Sequence, residues 1–278
     1  FAHGVTDSLP LAYVEKEGAV TRTLFSLEAS GNECFAGTGE RFAKMDLSGR
    51  TITLENADGL GVNSARTYKN VPFYMSSRPY GLFVHTSAKT QLSFADISTR
   101  SAQGMVEEDP LDLFLIGGGN LQNVLRNYCS LTGFSPEVPL WSYGIWMSRM
   151  SYFSPDEITT VARRLREEEF PCDVLHIDTG WFKEDWVCDW KFCQEKFPNP
   201  EQYISELREA GYRITLWQTP DISRKSDVAA HAEEMGYLPS VDATAEAGSD
   251  FSMQDICGPI DFSNPDACNW YKNDLLKP

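Results

Sequence analysis

A chain of 278 residues with 42% apolar and 23% charged side chains is long enough to bury one large core or two ordinary ones, and too apolar to remain disordered. Its 40 acidic residues against 24 basic ones leave a formal charge of −16, which opposes binding to nucleic acid or anionic lipid and makes a neutral partner the better fit. No apolar stretch approaches the roughly 20 residues needed to cross a bilayer, and the opening FAHGVTDSLP has neither the basic region nor the apolar core of a secretory signal, so a soluble cytoplasmic protein without membrane association is expected.

In chain order, the first half is a succession of short β-rich runs, at 22–27, 51–55, 71–75, 80–85, 91–95 and 112–116. Turn signals separate them; Ser76-Ser77-Arg78-Pro79 can join two of the runs as a hairpin. This reads as an antiparallel β-sandwich over residues 1–133. It ends in a linker helix near 120–131, with Leu121, Val124, Leu125 and Tyr128 spaced to share a face. A Pro- and Gly-bearing connector, GFSPEVP at 133–139, then separates two kinds of sequence.

Beyond the connector strand and helix alternate. A buried strand is expected at 142–148 (SYGIWMS), and Ser154-Pro155-Asp156-Glu157 opens a helix with an N-cap residue, a proline at the first position and acids in the first turn. Strands at 172–178 and 212–218, a helix at 200–210 closed by Gly211, and a helix near 226–235 closed by Gly236 follow. Repeated βα units imply a parallel sheet, so residues 134–278 read as α/β, the first part of a (β/α)8 barrel.

In such a barrel the chemistry sits where the strands end. VLHIDTGWF at 174–182 is an apolar run that stops on Asp178 and continues into Trp181. The Asp178-Thr179-Gly180 triplet also occurs in aspartic proteases, but that mechanism needs two carboxylates sharing a proton, and there is no second copy here. Asp178 is expected to end the second strand, Trp217 and Gln218 the third, and Trp146 to Arg149 the first. One rim would then carry an acid and several aromatics, which suits the hydroxyls and apolar C–H face of a sugar. Each residue also has a plainer reading: a strand tryptophan packs in the core, and an aspartate at a strand end caps the next turn. Seven cysteines without the density of a disulfide scaffold are expected as free thiols. Cys188 and Cys193 lack metal-ligand spacing and a nearby histidine, so neither a metal nor another cofactor is expected.

Several collinear motifs carry a resemblance. LWSYGIWMS at 140–148, HIDTGWFKEDWVCDWKF at 176–192, FPNP at 197–200, TLWQTPDI at 215–222 and IDFSNPDACNWY at 260–271 are similar to glycoside hydrolase family 31, in particular its bacterial α-xylosidase-like branch. GTGERF at 37–42, ENADGLG at 55–61 and YKNVPFYMSSRPYGLFV at 68–84 are similar to the galactose-mutarotase-like sandwich that precedes the family's barrel. The resemblance implies a retaining α-glycosidase acting on terminal α-linked xylose, with glucose or a transglycosylation as the alternative. It implies that Asp178 binds outer hydroxyls of the sugar in subsite −1, and that Trp217, with Trp181 and Trp146 near it, lines that subsite. Asp58 would sit on a sandwich loop leaning over the barrel mouth. Gly39, Glu40 and Arg41 read as structural. A non-catalytic carbohydrate-binding protein is the rival from another class, and a homo-oligomer is left open for the longer enzyme.

The family's retaining mechanism uses two carboxylates about 5–5.5 Å apart. By resemblance the nucleophile lies in a K-T-D-F-G-E-like motif on the fourth barrel strand, and no such motif occurs in this chain. The nucleophile and the acid/base are therefore expected beyond Pro278. The expectation is a fragment of a longer enzyme, truncated before strand 4, holding part of the sugar pocket and none of the catalytic pair, and inactive alone.

Overall fold

A computed structural model describes residues 10–57, 65–239 and 255–277. The chain divides into two compact units, residues 1–136 and 137–278.

The first unit is two antiparallel sheets. One has the order β1 (Leu11–Lys16), β2 (Ala19–Glu28), β8 (Ser101–Val106), β7 (Thr90–Phe94), β4 (Arg50–Leu54); the other β3 (Phe35–Gly39), β5 (Asn70–Ser76), β6 (Tyr80–Val84), β9 (Leu113–Gly117). Inward-facing residues of both sheets form one core, including Phe25, Phe35, Leu54, Tyr74, Leu82 and Phe94. Phe94 meets Tyr74 edge-on at 4.9 Å and Phe35 at 5.1 Å, aromatic geometry that adds to the area buried. Strand β8 escaped the sequence analysis because SAQGMV has no apolar alternation, yet all six of its residues are buried. Its small side chains are required: a Cβ on Gly104 would stand 2.0 Å from the Phe25 ring.

Helix α1 (Leu121–Thr132) is capped by the Asn120 side chain, which accepts the Asn123 N–H at 2.9 Å. Val124 is fully buried on the outer face of the four-stranded sheet, and Tyr128 stacks on Phe73 at 3.8 Å. Leu121 and Leu125, expected on the same buried face, are 43% and 45% exposed. The outer-face cluster with Phe73 and Ile116 takes in Val124 and Tyr128 and neither of these leucines.

The second unit holds a parallel sheet of β10 (Trp146–Ser148), β11 (Val174–Ile177) and β12 (Arg213–Leu216), in that order. Helix α2 (Pro155–Glu167) starts as its sequence dictates, the Ser154 hydroxyl accepting the Glu157 N–H, and α3 (Pro200–Glu209) ends before Gly211, whose φ of 88° the left-handed turn requires. Helices α2 and α3 cover one face of the sheet, burying Ile158, Ala162, Leu207, Leu175 and Ile177 together. Three features were not foreseen. Residues Leu140–Tyr143 form a 3-10 turn, so β10 starts only at Trp146. The loop after β12 carries a small antiparallel pair, β13 (Asp221–Ser223) with β14 (Ile256–Pro259), and helix α4 (Ala229–Glu234) is shorter than expected. Helix α5 (Pro265–Trp270), capped by Asn264, continues into a wider π turn over Tyr271–Leu275. Among the described residues no helix is long and apolar enough to cross a membrane.

Candidate functional site

Period-two alternation sorts the side chains of the parallel strands onto two faces. Met147, Leu175, Ile177, Ile214 and Leu216 pack with the helices. The in-register sets Trp146, Val174, Arg213 and Ser148, His176, Thr215 occupy the other face. At the carboxyl end of this sheet Asp178 follows β11, and Trp217 follows β12 with its N–H donated to the Ile177 carbonyl at 2.8 Å.

The plainer reading of Asp178 is realised: it caps the turn that follows it. Its Oδ1 accepts the Thr179 N–H at 2.8 Å and so caps the short 3-10 turn Thr179–Trp181. Its Oδ2 stands 3.9 Å from His176 Nε2, and the side chain is 21% exposed, so one carboxylate oxygen remains for a ligand. The Thr179-Gly180 pair is buried. Thr179 donates its one hydroxyl proton to Asp185 Oδ1 and so accepts the Ser151 hydroxyl at 3.0 Å, while Ser151 Oγ accepts the Gly180 N–H at 3.1 Å. A Cβ on Gly180 would stand 2.4 Å from the Tyr152 carbonyl oxygen, so this triplet owes its glycine to close backbone packing between the loops after β10 and β11.

The tryptophans separate into distinct roles. Trp217 is partly buried and meets Phe182 at 6.0 Å and Trp186 at 5.5 Å, the latter at 77°. Trp181, expected beside the sugar, is 4% exposed: its indole N–H donates to the Trp217 carbonyl at 2.9 Å and its ring packs on Phe182 and Phe192. It ties the loop after β11 to the end of β12 from below. Trp146 was expected at the strand's carboxyl end and instead opens β10 opposite Val174, four residues before the level of Asp178, about 13 Å away along the strand. The register sets that level, with Trp146 opposite Val174 and Ser148 opposite His176, and a 3-10 turn in which Ser142 donates to the Pro139 carbonyl at 2.8 Å takes up the residues expected to start the strand. The Trp146 indole N–H donates back to Ser142 at 3.1 Å. Asp58, and Pro278 beyond which the catalytic pair is expected, lie outside the described residues. Arg41 is structural as read, donating to Asn70 Oδ1 at 2.7 Å and to the Thr38 and Ala65 carbonyls.

Two rim residues were assigned no role from the sequence, although Gln218 was placed at the end of the third strand. Trp186, 38% exposed with φ of 68°, stands at a cleft of about 480 Å³ whose lining also includes Asp185, Thr219, Asp221 and Lys225. Gln218 is fixed by two donors, Trp190 Nε1 at 2.8 Å and the Tyr271 hydroxyl at 3.0 Å. The clustering of Trp181, Trp186 and Trp190 in one loop was the available signal. Nearby, burial holds the Asp189 carboxyl above its usual range and pushes the Cys188 thiol up to about 12, so Cys188 packs and is not a nucleophile.

Residues 135–278 match the family model described as the glycosyl hydrolases family 31 TIM-barrel domain. The chain belongs to glycoside hydrolase family 31. Residues 12–92 match the N-terminal galactose mutarotase-like domain of the same family. This family 31 chain is 32% identical over 268 residues to an α-xylosidase of Emericella nidulans, covering 95% of this chain and 34% of that protein. It is also 32% identical to the α-xylosidase XylQ of Lactiplantibacillus pentosus, over 88% of this chain and 32% of that one. Among solved structures, a GH31 dextranase of Flavobacterium johnsoniae complexed with glucose superposes with a TM-score of 0.84 at 25% identity, over 96% of this chain and 33% of that chain. The chain thus spans about a third of the length of the relatives it matches. The β-sandwich followed by a partial (β/α)8 barrel is the architecture those matches describe.

Proposed function

We propose that this chain supplies part of the subsite −1 pocket of a retaining α-glycosidase that hydrolyses terminal α-linked xylose. The observation that carries the reading is Asp178, a carboxylate at the carboxyl end of β11 with Oδ1 spent on the Thr179 N–H and Oδ2 3.9 Å from His176 Nε2, with Trp217 following the neighbouring strand β12. A carboxylate accepting sugar hydroxyls beside an aromatic face is what a hexose or pentose needs for orientation. The choice of xylose over glucose rests on the 32% identity to two α-xylosidases. By this reading residues 1–133 are the accessory sandwich domain and 134–278 the first part of the catalytic domain. The nucleophile and acid/base are assigned beyond Pro278, on the absence of a K-T-D-F-G-E-like motif in the chain. Trp217 is assigned the wall of the sugar site and Trp181 its support; Trp146 and Asp58 are not used.

The test is to express the complete reading frame that contains this chain and compare kcat/KM on p-nitrophenyl α-xyloside and α-glucoside. A preference of at least tenfold for the xyloside is expected. A preference for glucoside would leave the pocket and change the sugar, and cleavage of neither would point to a carbohydrate-binding protein.

A further inference from the structure

Thr215, His176 and Asp178 form a row across the ends of two adjacent strands. His176 and Thr215 are paired in register on β11 and β12, and His176 Nδ1 lies 2.9 Å from Thr215 Oγ1. The imidazole's other nitrogen, Nε2, faces Asp178 Oδ2 at 3.9 Å, an electrostatic rather than a hydrogen-bonding distance. Both side chains are shielded, with 25% and 21% exposure.

A neutral imidazole carries one proton, and the hydrogen bond at one nitrogen selects where it resides. With the proton on Nδ1, His176 would donate to Thr215 and turn the Nε2 lone pair towards a carboxylate, which is repulsive. With the proton on Nε2, the Thr215 hydroxyl donates to Nδ1 and an N–H points at the carboxylate, which is attractive. Thr215 has a freely rotating hydroxyl and serves either arrangement, so the carboxylate decides. We propose that Asp178 selects the Nε2–H tautomer of His176 while the Thr215 hydroxyl holds the ring in place, making His176 a positioning residue that orients the second oxygen of Asp178 for the sugar. Oδ1 is already fixed by the Thr179 N–H, so the electrostatic attraction of an Nε2–H for Oδ2 biases the carboxylate's rotation about its own axis. The inference rests on the reading of Asp178 as the sugar-binding carboxylate, but the tautomer is measurable without any sugar.

Selective 15N labelling of the four histidines in the 278-residue chain, with His176 assigned from the signal lost in His176→Gln, reads the tautomer directly. The wild-type ring is expected as Nε2–H. Thr215→Ser and Thr215→Val, the latter nearly the same shape with no hydroxyl, keep that state because the carboxylate selects it, whereas Asp178→Asn gives a mixture. A wild-type ring protonated on Nδ1, or one unchanged in Asp178→Asn, overturns the proposal. In the complete enzyme Thr215→Val lowers kcat/KM on p-nitrophenyl α-xyloside by about 3- to 10-fold while Thr215→Ser stays within about twofold. An unchanged kcat/KM in Thr215→Val overturns the positioning role. Absence of α-xyloside cleavage by the wild-type enzyme overturns the proposed substrate instead, and leaves the tautomer result to decide the inference.

Discussion

At the scale of single residues, Asp178 caps Thr179 through one oxygen and is proposed to bind sugar through the other, and two substitutions separate these roles. Asp178→Ala removes the cap on Thr179 together with the sugar contact. It should cost about 0.5–2 kcal/mol of stability and lower kcat/KM by roughly 2–4 kcal/mol in the complete enzyme. Asp178→Asn keeps an oxygen for the Thr179 N–H, so thermal unfolding should match wild type while kcat/KM still falls by at least tenfold. An Asn variant with full activity would return Asp178 to a capping role alone. Asp46 offers a test of electrostatics in the sandwich. The Ser48 hydroxyl at 2.6 Å, the Ser48 N–H and the Phe35 N–H hold its carboxyl at about 2, below the ordinary value near 3.9. A depressed pKa adds stability above the unfolded value and loses it as pH falls through the folded one. The advantage of wild type over Asp46→Ala should therefore be constant above about pH 4 and shrink between about pH 4 and pH 2. Thermal melts across that range check the sign; a gap that widens on acidification would refute it.

At the scale of elements, the parallel sheet and its helices are joined by one arginine. Arg166, in the last turn of α2, places its guanidinium 3.9 Å from the centre of the buried Tyr212 ring and donates to the Cys172 carbonyl at 3.0 Å. Tyr212 in turn donates its hydroxyl to Ala162 in the same helix at 2.8 Å. The segments leading into β11 and β12 are thereby pinned to α2 at the amino ends of the strands, the end opposite the site. Arg166→Ala should destabilise the chain by about 1–3 kcal/mol. Arg166→Lys should recover less than half of that, because an ammonium cannot stack and fork simultaneously. Urea midpoints of the three proteins decide the matter, and a lysine variant equal to wild type would contradict it.

At the scale of the whole molecule, retention requires two carboxylates about 5–5.5 Å apart. Two other carboxylates of the loop that follows Asp178 are otherwise engaged: Asp185 accepts the Thr179 hydroxyl, and Asp189 accepts the Lys191 N–H at 3.2 Å. The purified polypeptide of residues 1–278 should therefore show no cleavage of p-nitrophenyl α-xyloside above a blank, with Asp178→Ala as control for host enzyme; turnover abolished in that control would place a catalytic pair within these residues. The parts of this architecture legible in the chain were those written locally. Ser154-Pro155-Asp156-Glu157 started a helix, the glycines at 211 and 236 followed helix ends, and apolar runs ending on Asp178 and before Trp217 located two strand ends, because caps, turns and period-two patterns depend on neighbours a few residues apart. What the sequence left undetermined depended on distant partners. SAQGMV is a central strand only because Phe25 fills the space over Gly104, and Gly180 is a glycine only because the Tyr152 carbonyl presses on it. Composition alone could not say which of Trp146, Trp181 and Trp217 faces the rim, since all three are aromatic and near strand ends. Register and depth of burial, which arise when separate segments pack, put Trp146 at the opening of its strand, sank Trp181 beneath the rim and left Trp217 partly buried at the end of β12.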